Sequence, residues 1–239
     1  MLFTTSWDDG HSLDLRVAEL LERFGMTGTF YIGKNGRDNV VLDDPSIRLL
    51  AERHEVGAHS LTHPSLPDIT DLAMLRKEIG GSKEWLEGIT KKPCTMFAYP
   101  FGRFDAHTQA MVREVGFRAA RAVKDYSWDA TDIFALPTTV AVHVFPFRPV
   151  WNRRFIQPFQ RHHAALRACG VSLWECRSWL SMAKAVFRFA VQEKKPWFHL
   201  WGHSWSLEKF GLWGAFESFL SHVAAHDDIH YAPNSSLLS

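Results

Sequence analysis

The stretch LFTTSWDDGHSLDLRVAELLERFG, residues 2–25, decides the fold. Leu2 to Trp7 is a β-prone run that ends in an acidic pair, Asp8 and Asp9, and a glycine, Gly10. Ser12 then offers an N-cap, and Leu13, Val17, Leu20, Leu21 and Phe24 recur at helical spacing until Gly25 closes the helix. A strand handing over to a helix through a polar cluster is the opening of a βα unit, and the rhythm repeats. Thr29 to Ile32 is β-prone, Pro45 to His54 reads as a helix, and Glu55 to Ala58 reads as a strand that delivers His59. A helix from about Asp71 to Glu87, a strand over Met96 to Tyr99, a helix from about Ala106 to Val115 and a strand near Arg118 to Val123 follow. The carboxyl-terminal part offers a helix around Ser178 to Val191, a strand over Trp197 to Leu200, a helix around Leu207 to Ala225 and a strand at Ile229 to Ala232. Repeated βα units predict an α/β fold with a parallel sheet and helices outside it, either an open doubly wound sheet or a barrel.

Between these regions the rhythm loosens. Pro137, Pro146, Pro149 and Pro158 punctuate a segment, about 137–175, that reads as a loosely structured insertion or long crossover. Within it, Arg148, Arg153, Arg154, Arg161 and Arg167 alternate with Trp151, Phe155 and Phe159. Such a stretch reads first as a solvated flap over the sheet, and second as a platform for an anionic carrier such as a nucleotide sugar or a lipid-linked glycan. His143, His162 and His163 receive no role.

The whole chain, 239 residues with 46% hydrophobic composition, is read as one domain, residues 1–239. A net charge of +1 gives no overall field favouring nucleic acid. Cys94, Cys169 and Cys176 form no C-x-x-C pair and leave one thiol over under any bridging scheme, which predicts reduced cysteines. Met1 to Trp7 reads as a strand and not as a signal peptide, and the apolar helices are interrupted by Lys184 and Arg188 before reaching a membrane-spanning length. The expectation is a soluble, cytoplasmic protein of unassigned oligomeric state.

Three strands end in polar clusters: Asp8-Asp9-Gly10, His59-Ser60-Leu61-Thr62-His63 and Gly202-His203-Ser204. In βα barrels the carboxyl ends of strands carry the chemistry. One carboxylate and two imidazoles suffice to hold a divalent metal that keeps an open position for water. Taken singly the signals are weak, since 13 histidines in this chain give about 0.7 chance pairs at a spacing of four. Asp8-Asp9 alone could be a turn, and His203 before Ser204 could be a helix cap. Their joint placement at strand ends, together with Tyr99-Pro100-Phe101-Gly102, carries the reading. His63 precedes Pro64, so the two imidazoles are expected to converge from a loop and not from one helical face. Adjacent side chains on a strand point to opposite faces, so Asp8 and Asp9 can share a site only if the strand distorts near Gly10.

These motifs, in this order, resemble those of the NodB-homology polysaccharide deacetylases, carbohydrate esterase family 4. The resemblance implies a distorted (β/α) barrel of about seven parallel strands and a metal-dependent deacetylase acting on an N-acetylated sugar, in surface polysaccharide biosynthesis. It implies Asp8 as general base, and Asp9, His59 and His63 as ligands of one divalent ion. Zinc is the first choice, with cobalt, nickel, iron and manganese as alternatives. The oxyanion and substrate contacts fall at Tyr99, Pro100, Phe101 and Gly102, with the Phe101 N–H as donor, and His203 is the general acid. Trp201 and Trp205 are candidate sugar contacts, whereas Trp7 is read as core. The family's third motif carries an arginine where this chain has Ala98, leaving Arg103, Arg121 and Lys124 as substitutes. Trp128-Asp129 matches the fourth motif loosely. The rival readings are a hydrolase of another, cyclic, amide, a non-haem iron oxygenase built on the same ligand types, and an inactive carbohydrate-binding homologue.

Overall fold

The structure, a computed structural model, describes residues 1–35 and 40–238. Its centre is β1 (Leu2–Asp8), six of whose seven residues are buried. A strand flanked on both sides and covered on both faces needs such near-continuous burial. β1 pairs in parallel with β2 (Thr29–Ile32) on one side and with β7 (Trp197–Gly202) on the other. Beyond β2 lie β3 (Glu55–Ala58), β4 (Met96–Ala98) and β5 (Ala119–Arg121), and beyond β7 lies β6 (Val140–Val142), giving the order β5-β4-β3-β2-β1-β7-β6. A short β8 (His230–Tyr231) pairs with the start of β1.

The sheet curls until its edges meet. Ala122 N–H donates to Leu136 O and Leu136 N–H to Ala120 O, both at 2.9 Å, while Thr139 N–H donates to His199 O at 2.9 Å. The chain entering β6 is therefore bonded to β5 at one end and to β7 at the other. The result is the expected distorted barrel of seven parallel strands.

Helices α1 (Asp14–Arg23), α2 (Asp44–Arg53), α3 (Leu72–Thr90), α4 (Ala106–Glu114), α5 (Gln157–Ala168), α6 (Trp179–Gln192), α7 (Ser204–Lys209) and α8 (Trp213–Ala224) supply the connections. Between sheet and helices lies an aromatic core in which Phe3, Phe187, Phe198, Phe216 and Phe219 are fully buried. Trp7 belongs to it, meeting Phe216 edge-on at 5.0 Å, as read from the sequence. The barrel floor is polar: Asn234 donates to Tyr31 Oη at 3.0 Å, its N–H reaches Thr29 Oγ1 at 2.9 Å, and Ser6 Oγ lies 2.9 Å from His199 Nε2. Several buried polar atoms of the barrel interior pair with one another in this way.

Several boundaries differ from expectation. Ser12 does not cap α1; the helix begins at Asp14, and the Leu13 N–H donates instead to His11 Nδ1. The helix read as Leu207 to Ala225 is two, α7 and α8, broken where Gly211 takes φ 62°. The segment read as loosely structured contains β6 and the twelve-residue α5. β6 is too short to show a period, and α5 buries only Pro158 and Leu166, so neither leaves an apolar pattern. All three cysteines are free and buried. No helix among the described residues is long and apolar enough to cross a membrane.

Where β1 ends, Gly10 sits at φ 66°, and a Cβ there would lie 2.6 Å from Ile32 Cγ2. Gly10→Ala is expected to cost about 2 kcal/mol or more, from left-handed strain plus overpacking. Denaturant unfolding of the variant checks this.

Candidate active site

The adjacency of Asp8 and Asp9 is resolved by backbone conformation. Asp8 is the last residue of β1, and Asp9 and Gly10 follow at φ 81° and 66°. This left-handed turn swings Asp9 out of the strand's alternation, so the fields of His59 and His203 act on both carboxylates. Ser60, His63, Phe101 and Gly102 are left-handed too, at φ 63°, 56°, 58° and 65°. Backbone in this region costs of order 1–3 kcal/mol per non-glycine residue and gathers where function demands a particular placement.

His59 leaves the end of β3 fully enclosed, and its Nδ1 lies 2.8 Å from Ala98 O, to which it must donate. That bond fixes the tautomer and aims the Nε2 lone pair at Asp9. Burial, the largest influence, depresses the imidazole to about 4, so the ring is neutral at pH 7. The loop to His63 is held from α3: Glu78 accepts from Leu61 N–H (3.1 Å), Thr62 N–H (2.9 Å) and Thr62 Oγ1 (2.7 Å). Ser60 Oγ accepts the His63 N–H at 3.0 Å. Glu78 was not singled out from the sequence. Its signal was present, since it shares the buried stripe of Leu75, Ile79 and Leu86, where a carboxylate must have a reason.

The ligating atoms of Asp9, His59 and His63 lie within 4.8 Å of one another. Asp9 Oδ2 accepts Trp205 Nε1–H at 2.9 Å, which turns Oδ1 toward His63 Nε2 (3.3 Å) and His59 Nε2 (3.7 Å). Oδ1 is buried without a hydrogen-bond partner among the described residues. Ligand atoms at about 2.0–2.1 Å from a tetrahedral ion are about 3.3 Å apart. The three residues therefore fit a divalent ion, and the orphaned oxygen is what such an ion would satisfy. Burial would raise the Asp9 carboxyl, but His63, His203, His59 and the Trp205 N–H hold it below the usual carboxylate range.

Asp8 is served separately. The Arg121 guanidinium, itself buried, bonds both of its oxygens. Burial pushes the Asp8 carboxyl up, and Arg121, helped by His59 and His203, brings it below its usual range. Ala98 and Arg121 are register partners on β4 and β5, so the arginine comes from one strand over from the position the motif suggested. Arg103 instead binds Ser65 and Asp68 at the surface, and Lys124 is exposed. A third buried carboxyl, Asp14 at the start of α1, is pushed well above the usual range by burial and by its two charged neighbours, Asp9 and Asp8.

The remaining expectations divide. His203 follows β7, partly exposed, with Nε2 3.8 Å from Asp9 Oδ2. Phe101 lies in the turn Pro100–Gly102, where first-turn N–H groups lack intrahelical acceptors, and its half-exposed ring meets His63 edge-on at 4.6 Å. Gly102 is fixed by space, since a Cβ would lie 1.9 Å from Val123 Cγ2. Tyr99 does not present its hydroxyl to the site: it donates to Phe134 O at 2.9 Å within the core. Trp201 is tethered through Nε1 to Asp125 Oδ1 at 2.9 Å and walls in Arg121, 5.0 Å from its ring centre. Trp128-Asp129 stands apart from the cluster. Trp128 Nε1 donates to Trp197 O, at the opposite end of β7 from His203, and Asp129 is exposed. Asp125, by contrast, is held beside Trp201.

Residues 3–120 match the family model described as polysaccharide deacetylase. The fold is similar to that of a Mycobacterium smegmatis protein named for the polysaccharide deacetylases, at 18% identity and a TM-score of 0.67, covering 99% of this chain and 88% of the other. It is similar to a family 4 acetyl xylan esterase from Clostridium thermocellum solved with a cobalt ion, at 13% identity and 0.61, covering 100% and 90%. Against a polysaccharide deacetylase from Bacillus cereus the identity is 23% and the TM-score 0.50, covering 65% of this chain and only 49% of that protein's length. A comparison with curated protein sequences finds no match.

The register of Arg121 with Ala98 yields a test. Arg121→Ala leaves the Asp8 carboxylate buried and unpaired, and should cost about 3–5 kcal/mol in denaturant unfolding. Ala98→Arg in the same chain should recover a large part of the loss, because the new guanidinium starts beside the vacated one.

Proposed function

We propose that this chain, which belongs to the polysaccharide deacetylase family, is a metal-dependent N-deacetylase that hydrolyses the acetamido group of an N-acetylated sugar. One observation carries the reading: Asp9 Oδ1 is buried, without a hydrogen-bond partner, and aimed at two imidazoles, while the neighbouring Asp8 is reserved by its own arginine.

Asp9, His59 and His63 would hold the ion, and two imidazoles with one carboxylate are a ligand set that suits a catalytic zinc. Bound there, a divalent ion lowers the pKa of water toward about 7 and polarises an amide carbonyl. Asp8, kept ionised by Arg121, accepts the proton as water attacks the carbonyl carbon. Arg121 keeps the carboxylate fixed, so that proton transfer needs no reorientation. The Phe101 N–H donates to the oxygen on which negative charge develops, a contribution typically worth about 3 kcal/mol in hydrolases. As the C–N bond breaks, His203 supplies a proton to the sugar nitrogen, since an amine anion leaves poorly. Water and the amide are consumed; acetate and a free amine are formed.

The test is acetate release from N-acetylglucosamine and its oligomers by the zinc- or cobalt-loaded protein. Asp8→Asn should keep the metal and lose turnover by about 10²-fold or more. Asp9→Asn should lose both. Equal metal loss in the two variants overturns the division of roles, and oxygen consumption by the iron-loaded protein without acetate release overturns the hydrolase.

A further inference from the structure

Beside His203 lies a cavity of about 310 Å³, between β6, α5 and α6, whose walls run from Asp125 to Trp205. The family match ends at residue 120, so this cavity is built wholly by the other half of the chain. An acetyl methyl fills little of it. The volume stands at the lower end of pockets that enclose whole small ligands, about 300 Å³ and upward.

Basic side chains outnumber acidic ones around it. Arg161 and His162 from α5 and His143 after β6 line it. The His143 imidazole is depressed to about 4 by burial first, then by Arg148, His203, His162 and Lys209. The one carboxylate on the wall, Asp125, already accepts at Oδ1 from Trp201 Nε1 and from Thr138 Oγ1 at 2.9 and 2.8 Å. Among the described residues, no carboxylate lies within ion-pair distance of Arg148, Arg161 or Lys209. Arg148 Nε is buried and without an acceptor. Arg161 on the wall and Arg148 close to His143 thus have no carboxylate of their own, and an anion entering the cavity would pair with them.

We infer that this cavity is an anion subsite, holding a phosphate or carboxylate carried by the substrate on the leaving-nitrogen side of the scissile amide. The inference rests on the deacetylase reading for which side of the amide faces it. His203, which protonates the nitrogen, is part of the cavity wall, whereas Phe101, which faces the carbonyl oxygen, follows β4 on the far side of β1. The departing sugar therefore lies toward the cavity, where Tyr126 and Met182 offer apolar contact to a ring and Arg161 meets its anionic substituent, with Arg148 behind, close enough to act on His143. The enzyme would thus select anionic N-acetylated sugars over neutral ones.

Two measurements on the full chain test this. Calorimetric titration with N-acetylglucosamine, N-acetylglucosamine 1-phosphate and N-acetylmuramic acid should show tighter binding of one or both anionic sugars, and which of them binds distinguishes phosphate from carboxylate. Inorganic phosphate added to metal-free protein should shift the His143 ring resonances in NMR. In Arg161→Gln, at an exposed position that leaves folding intact, and in Arg148→Gln, affinity for the anionic sugar should fall about ten-fold, as for loss of one charge-assisted hydrogen bond. Unchanged affinity in Arg161→Gln, or equal binding of neutral and anionic sugars, overturns the subsite. Acetate release from neutral sugars alongside such a failure leaves the hydrolase standing. Phosphate-dependent shifts at His143 with no acetate released from any sugar uphold the subsite and remove the hydrolase.

Discussion

At the end of the central strand the chain turns left-handed through Asp9 and Gly10, and two neighbouring carboxylates are thereby given different surroundings. Without the turn, alternation would send one of them to the opposite face of the sheet. With it, two buried negative charges come close together, and each needs its own compensation. Asp8 has Arg121, and Asp9 has imidazoles and the Trp205 N–H. Asp14, the third carboxyl in this neighbourhood, has no such cation among the described residues, and burial pushes it well above the usual carboxylate range. The proposed separation of a metal-facing carboxylate from a proton-accepting one would follow from these surroundings, since the two side chains are chemically identical.

The same economy of backbone governs the rest of the site. Ser60, His63 and Phe101, in the loops that follow β3 and β4, all lie in the left-handed region. Ser60 Oγ and Glu78 hold the loop that carries His63, the His59 ring is pinned on Ala98 O, and Gly102 lies where Val123 leaves no room for a side chain. A site assembled from loops at strand ends acquires rigidity from bonds of this kind.

Much of this was legible in the sequence, because the βα rhythm depends on long apolar periods and the ligand motifs on short local spacings. Asp9, His59, His63 and His203 meet as their placement at strand ends implied. What stayed hidden depends on contacts between distant segments. Arg121 was one of three basic candidates, and only the register of β5 against β4 selects it. Asp125 and Glu78 act through partners 76 and 16 residues away in sequence. Tyr99 sits inside a motif, yet faces the core; it lies just past β4, and a three-residue strand is too short to show which face the next residue takes. β6 and α5, which wall the cavity, carry too few buried residues to leave a period.

The halves of the chain divide the work: residues 3–120 match the family and contain Asp8, Asp9, His59 and His63, while the remainder supplies Arg121, His203 and the cavity beside it. The central claim is that one ion sits between Asp9, His59 and His63 and leaves Asp8 unligated. A zinc-loaded crystal measured at the zinc absorption edge tests it most directly. The account predicts a single anomalous peak within bonding distance, about 2.0–2.2 Å, of Asp9 Oδ1 and the Nε2 atoms of His59 and His63, with Arg121 still on Asp8. A peak on Asp8, or zinc held elsewhere while these three side chains remain in contact with one another alone, would contradict it.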